Sequence, residues 1–329
     1  MVNRPPPIAL SLLLEAFTLP RSVYVLGAGA SAPTTLMMQQ LPSQIIDRFW
    51  KFGAFPAHPL SLPLDINASR IMNIPGDRLD YRSEELRIKR QLDSLSEEIQ
   101  FEQELASRIS SEAVKAITIR LLSPEPPTFC PQYQVFQLAQ EPSIFNLNVD
   151  GLAWRFYRGV LDLHGTVPDR ELLSSLGWNA LEDSLLEFPD LRGPSIPGLV
   201  YPGPEDLTIT QRPTYRGAEQ LLFCAHYVVL IGYSFGRMDD VATYKFLCTH
   251  LRRTPKPVIV VDLDPWDLML RIQDEVKSTK VYGFRAHWNV LAQAIIETTR
   301  VRHHKSCSMS RPCPTCVSYS YQRLLDRLG

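Results

Sequence analysis

The sequence predicts an α/β fold: a Rossmann-like parallel sheet flanked by helices, with a helical insertion. Three observations carry this expectation. Short runs rich in Val, Ile or Leu recur at 22–26, 143–147, 160–163, 227–231 and 258–261. Helical stretches separate most of them, and continuous apolar strands alternating with helices indicate a parallel sheet covered on both faces. Each run ends in a cluster of glycine or polar residues. In an open α/β sheet the carboxyl edge of the strands is where ligands bind.

The elements follow in chain order. Residues 8–14 are apolar apart from Ser11 and stop at Glu15. That run is short for a secretory signal and no small-residue cleavage site follows, so a first helix packed on the domain is expected. The strand at 22–26 runs into Gly27-Ala28-Gly29-Ala30-Ser31, a glycine turn that a helix should follow. Residues 56–75 are proline-rich without a period and read as loop. Between about 82 and 122, Leu86, Ile88, Leu92, Leu95, Ile99 and Leu105 recur at helical spacing among charges, which predicts two or three helices. Residues 143–147 and 160–163 are buried strands ending at Asn148-Val149-Asp150-Gly151 and His164-Gly165. A Pro- and Gly-rich loop is expected over about 189–213, then a helix ending near His226. The strand at 227–231 ends at Gly232-Tyr233-Ser234, the strand at 258–261 ends at Asp262, and a helix is expected over 266–276. This organisation gives one domain over 1–300, with a helical insertion at about 66–123 and a Cys- and His-containing extension over 301–329.

Composition narrows the function classes. The chain has 329 residues, with Lys+Arg 34 against Asp+Glu 35. A balance so near neutral gives no electrostatic footprint for nonspecific nucleic-acid binding. No apolar run approaches the roughly 18 residues that span a bilayer, so no membrane partner is expected. Cys130, Cys224 and Cys248 are widely scattered, as buried thiols of a reducing compartment are, and a cytoplasmic location is expected.

The strand ends carry the chemistry. Gly27-x-Gly29 after a strand suits a phosphate cradle, because glycine lets the backbone approach a pyrophosphate and the following helix offers N–H groups. A tight turn without ligand is the alternative. The third glycine of the dinucleotide fingerprint is missing, and Ser31 stands nearby. Asn148 can hold a sugar hydroxyl or a water, and with Asp150 it can instead close the strand through an Asx turn. His164 can serve as a general base near neutral pH, or be structural. Gly232 adds a second close-approach glycine, and Asp262 a carboxylate able to take ribose hydroxyls.

Taken in order, Gly27-Ala28-Gly29-Ala30-Ser31, Asn148-Val149-Asp150-Gly151-Leu152, Leu163-His164-Gly165, Gly232-Tyr233-Ser234 and Asp262 resemble the motifs of the sirtuin (SIR2-like) superfamily. The first is similar to its phosphate loop, the second to part of its Gln-Asn-Ile-Asp-Gly-Leu motif, and the third to its catalytic histidine motif. The resemblance spans about 22–287. Two departures stand out. Leu147 replaces the glutamine of deacylating sirtuins, and no CxxC pair lies between His164 and Gly232. Gly232-Tyr233-Ser234-Phe235 followed by Asp239, with Arg212-Pro213-Thr214-Tyr215 upstream, is similar to the branch found in bacterial antiphage defence.

That branch implies an NAD glycohydrolase that releases nicotinamide and ADP-ribose and depletes NAD. The resemblance implies Asn148 and His164 as catalytic residues. It implies that Gly27, Ala28, Gly29, Ser31, Asp150, Gly232, Ser234 and Asp262 bind NAD, with Asp150 orienting the nicotinamide amide and Asp262 the adenosine ribose. A homo-oligomer is also implied, with a HerA-type ATPase or another defence subunit as partner. Two other readings stay open: an NAD-dependent protein deacylase, and a catalytically silent module that senses NAD or ADP-ribose and regulates a partner.

The last segment stands apart. Cys313-Pro314-Thr315-Cys316 is a CxxC knuckle, and with Cys307 and His303 it forms a set suited to structural zinc. The other reading of this segment is a solvent-facing basic tail with free thiols.

Overall fold

Four-residue strands suffice here because neighbours on both sides saturate them. β1 (Val23–Leu26) is buried at all four positions and lies between two parallel partners. In the computed structural model, six strands form an all-parallel sheet in the order β3-β2-β1-β4-β5-β6. The others are β2 (Ser143–Asn146), β3 (Val160–Asp162), β4 (Val228–Ile231), β5 (Val258–Asp262) and β6 (Val281–Arg285). The structure describes residues 8–32, 44, 111–123, 125, 127–187, 199, 210–233, 241–300 and 313–328. The loop expected at 56–75, most of the insertion expected at 66–123, and Ser234, Asp239, His303 and Cys307 lie outside the described residues.

Strand period 2 divides β1 between two cores. Tyr24 and Leu26 face one, together with Ile144, Val229, Ile231, Ile259 and Val261. Val23 and Val25 face the other, together with Phe145, Val228, Leu230, Val258 and Val260. Helices cover both faces, so β1, β4 and most of β5 read as continuous apolar runs. The first core is closed by α1 (Ile8–Thr18) and by residues of α2 (Ala28–Ser31), α4 (Pro131–Gln134) and α5 (Leu152–Phe156); α3 (Ser111–Leu122) lies in the expected insertion. Beyond β3 come α6 (Arg170–Ser175), whose N-cap Asp169 accepts from the Leu172 N–H at 2.8 Å, and α7 (Trp178–Glu187). The second core is covered by α8 (Pro213–Cys224), α9 (Val241–Arg253) and α10 (Trp266–Glu275).

Several features depart from the sequence reading, and β3, expected as a buried strand, is half-buried at all three positions. β6 is an edge strand with only Val281 buried, so it lacks the unbroken apolar signature of the central strands. The extension expected over 301–329 holds, over 314–328, a packed helix that the sequence reading did not separate. There α12 (Pro314–Leu328) packs along α11 (Trp288–Arg300), and Val317 and Leu324 join the first core. Cys316, Val317, Ser320 and Leu324 are buried at the spacing of a helical stripe. Of the three scattered cysteines, Cys130 and Cys248 are buried as expected, whereas Cys224 is exposed at the end of α8.

The strand order positions the site. From β1 the chain moves outward through β2 and β3, then returns to place β4 on the other side of β1. That reversal makes the β1/β4 carboxyl edge a topological switch point, the place where an open α/β sheet has a crevice for a ligand.

Candidate active site

At the switch point two glycine turns meet backbone to backbone. The Gly29 N–H donates to the Gly232 carbonyl at 2.8 Å, and the Ala30 N–H to the Gly27 carbonyl at 2.9 Å. Gly232 has φ +60°, a left-handed conformation, and a Cβ there would fall 2.3 Å from both Ala30 N and Gly29 C. A Cβ at Gly29 would lie 2.8 Å from the Gly232 Cα. Mutual packing of the two turns therefore demands glycine at both positions. The N–H groups of Gly29 and Ala30, expected to cradle a phosphate, are engaged within the turns.

Beside these turns lies a buried polar cluster built from the ends of β1, β2 and β3. The Asn148 Nδ2 donates to the Gly27 carbonyl at 2.8 Å and to Ser31 Oγ at 2.9 Å, and lies 3.5 Å from the Tyr133 hydroxyl. A backbone carbonyl can only accept, so the amide orientation is fixed: nitrogen toward Gly27, oxygen away. Asn148 Oδ1 accepts from no described residue and is the open acceptor of this amide.

Ser31 is the hub. Its hydroxyl donates to Asp150 Oδ2 at 2.5 Å and lies 2.5 Å from the Tyr133 hydroxyl. A serine has one hydrogen, so with that hydrogen on Asp150 it accepts from both Tyr133 and Asn148. Burial pushes the Tyr133 phenol pKa well up, which keeps it a donor. Asp150 Oδ1 accepts the Leu152 N–H at 3.0 Å, capping the turn into α5. Both Asp150 oxygens are thus held by the fold.

A second clamp sets the backbone of Asn148. Asn146 Nδ2 donates to the Asn148 carbonyl and to Asp162 Oδ1, each at 2.8 Å, while Asn146 Oδ1 accepts the Asn148 N–H at 3.2 Å. Burial raises the Asp162 carboxyl to about 6, opposed by the Asn146 hydrogen bond and reinforced by Asp150.

His164 follows β3 by two residues and is buried. Burial lowers its pKa to about 4, the Arg212 guanidinium adds to the effect, and a hydrogen bond to the Leu147 backbone opposes it. The imidazole is therefore neutral at pH 7. The sign of the linked stability follows. The unfolded chain takes up this proton near pH 6.5, so stability falls as pH drops from there, by up to roughly 1.4 kcal/mol per pH unit. The Asp162 shift has the opposite sign, because the folded state holds its proton up to about pH 6. Between about pH 4 and 6 the two slopes oppose. His164→Gln removes the first of them. On going from pH 7 to pH 5, wild type should lose roughly 2 kcal/mol relative to this variant, read from paired urea titrations.

Of the sequence-predicted residues, the structure brings together Gly27, Ala28, Gly29, Ser31, Asn148 and Asp150, with His164 at the end of the next strand but one and Gly232 across the switch point. Asp262 stands apart, two strands from β1, where it accepts the Asp264 N–H at 3.0 Å. Burial raises its pKa, opposed by backbone N–H groups of Asp264 and Leu263. From β3 to β5 is four strand spacings, about 19 Å at ~4.8 Å each. Cys313 and Cys316 flank the start of α12, and among the described residues no group of three or more His, Cys, Asp or Glu is arranged to hold a metal ion.

Sequence reasoning missed Tyr133, Asn146, Asp162 and Arg212 as neighbours of these residues. Asn146 and Asp162 carried a signal: each is a polar residue closing an apolar run two residues before a candidate. Tyr133 carried none. No family model, curated protein or solved structure matches the chain.

Proposed function

We propose that the chain is an NAD glycohydrolase, cleaving NAD to nicotinamide and ADP-ribose and depleting NAD in antiphage defence. The observation that carries this reading is the fixed amide of Asn148. It stands beside the switch point of a 3-2-1-4-5-6 sheet, the order in which dinucleotides bind across the crevice.

In this reading NAD lies along the carboxyl edge. Its adenosine ribose lies toward Asp262 and its nicotinamide ribose toward Asn148 and His164. Gly27, Gly29 and Gly232 remove side chains from the floor beneath the diphosphate, and Ser234 belongs to the same proposal as an NAD-binding residue. Cleavage of the glycosidic bond builds an oxocarbenium-like centre on the nicotinamide ribose. Asn148 Oδ1 accepts from a ribose hydroxyl or from the attacking water and fixes its direction. His164 takes the proton that this water loses. A neutral imidazole suits the step twice: it can accept a proton, and it adds no positive charge beside the one that develops. The diphosphate's negative charges would raise the His164 pKa toward the operating range and offset Arg212. Asp150 holds Ser31 and contributes its own charge to the ribose side.

A homo-oligomer and a partner subunit, such as a HerA-type ATPase, belong to the same proposal, as does a cytoplasmic location. So does structural zinc on Cys307, Cys313, Cys316 and His303. For zinc, metal analysis of the purified chain should return about one equivalent, and a metal-free folded protein removes it.

The test of the activity is incubation of the full chain with NAD, with and without an acetylated lysine peptide. Equal amounts of nicotinamide and ADP-ribose without peptide support the hydrolase. Nicotinamide released only with peptide, alongside deacetylated product, supports a deacylase. Binding of NAD without product supports a sensing module.

A further inference from the structure

We propose that Tyr133 is a positioning residue of this site, its hydroxyl acting through Ser31 to hold Asn148 and Asp150 in register; the proposal rests on the hydrolase reading. The Ser31 hydroxyl has room for three partners, one by donation and two by acceptance, and the cluster supplies all three: Asp150 Oδ2, Tyr133 and Asn148. With every position filled, the hydroxyl has one orientation, and the two groups it joins keep a fixed separation. Remove the phenol hydrogen and Ser31 keeps only two partners. It can then rotate, and the Asn148 amide loses one of its lateral supports.

Tyr133 is suited to this task by where it stands. Its ring is fully buried, and its N–H and that of Gln134 both return to the Cys130 carbonyl. The short helix that carries it is tied to α11, because the Trp288 Nε1–H donates to the Gln132 carbonyl at 3.0 Å. The phenol thus reaches the site from a rigid support.

A second buried tyrosine gives the contrast. Tyr24 is equally enclosed, with its ring centroid 5.3 Å from that of Phe17 and 5.0 Å from that of Phe136. Its hydroxyl has no hydrogen-bond partner among the described residues. The same deletion of one oxygen should therefore have different consequences. Tyr24→Phe removes an atom that packing alone surrounds. Tyr133→Phe removes a donor to the hub.

The experiment measures kcat and KM for NAD on the full chain for wild type, Tyr133→Phe, Tyr24→Phe, Ser31→Ala and the Ser31→Ala/Tyr133→Phe double variant. Tyr133→Phe should lower kcat about tenfold with KM within about twofold, because a misplaced amide weakens the transition state more than the bound substrate. Tyr24→Phe should match wild type. Tyr133→Phe should add less than about twofold in the Ser31→Ala background, since it acts chiefly through that hydroxyl and its direct contact with Asn148 Nδ2 is a long 3.5 Å. Wild-type kcat in Tyr133→Phe, an equal fall in both tyrosine variants, or a full further tenfold in the double variant overturns the proposal. Should Tyr133→Phe not fold, Ser31→Ala decides alone: a lower kcat at unchanged KM supports the proposal and wild-type kcat refutes it. A wild type that releases no nicotinamide brings down the hydrolase reading and this inference with it. An active wild type with an unaffected Tyr133→Phe brings down this inference alone.

Discussion

Asn148→Ala is expected to lower nicotinamide release at least a hundredfold while the chain stays folded. The substitution removes the open acceptor Oδ1 and the donor that ties the β2 end to the Gly27 carbonyl and to Ser31. Loss of that donor leaves the Gly27 carbonyl with one partner fewer in a buried place, a stability cost of about 1–2 kcal/mol that a domain of this size tolerates. Asn148→Asp separates the two roles. It keeps an acceptor and the side-chain shape, but it turns a carboxylate oxygen toward the Gly27 carbonyl, and two acceptors facing each other repel. It should therefore lose activity as well and cost more stability than alanine. Nicotinamide release and urea denaturation on the same preparations read the two effects apart. An active, equally stable Asn148→Asp would mean that the amide orientation is unimportant.

Gly232→Ala should be strongly destabilising for a single methyl, costing about 3 kcal/mol or more. Its φ of +60° is strained for alanine, and the new Cβ would fall 2.3 Å from two backbone atoms of the facing turn. Backbone cannot rotate away as a side chain can, so β1 and β4 would have to part at the switch point. Gly177→Ala is the control. It shares the left-handed conformation, φ +69°, but meets nothing within 4 Å, so it should cost only about 1 kcal/mol. Urea midpoints of the two variants against wild type check the difference. Equal costs would show that conformation, and not the packing of the two turns, is what demands glycine.

The sheet was legible because burial on both faces writes itself into composition. Val23 to Leu26, Val228 to Ile231 and Val258 to Val261 have no solvent side, so nothing interrupts their apolar runs. β6 escaped because an edge strand has a solvent side, and Gly283 lies under the Trp266 ring, where a Cβ would come within 3.1 Å. α12 escaped because its buried stripe, Cys316, Val317, Ser320 and Leu324, holds only two large apolar residues and so gives a weak helical period.

In the site, Asn148 and His164 were legible from their place just beyond strand ends. What surrounds them was not, since the contacts are long-range. Tyr133 meets Ser31 across 102 positions, and Asn148 meets Gly27 across 121. Spacing along a chain carries no trace of such pairs. Nor did the Gly-x-Gly pattern reveal that the Gly29 N–H is taken by Gly232, because a turn that packs on another turn and a turn that waits for a phosphate need the same residue.

The central claim is that His164 and Asn148 form a site that hydrolyses NAD. The wild-type chain and His164→Gln are incubated side by side with NAD labelled in its nicotinamide, and both products are quantified over time. The expected result is nicotinamide and ADP-ribose in equal amounts from wild type and none above background from the variant. Equal rates from the two proteins, or a wild type that binds NAD and leaves it intact, would contradict the account.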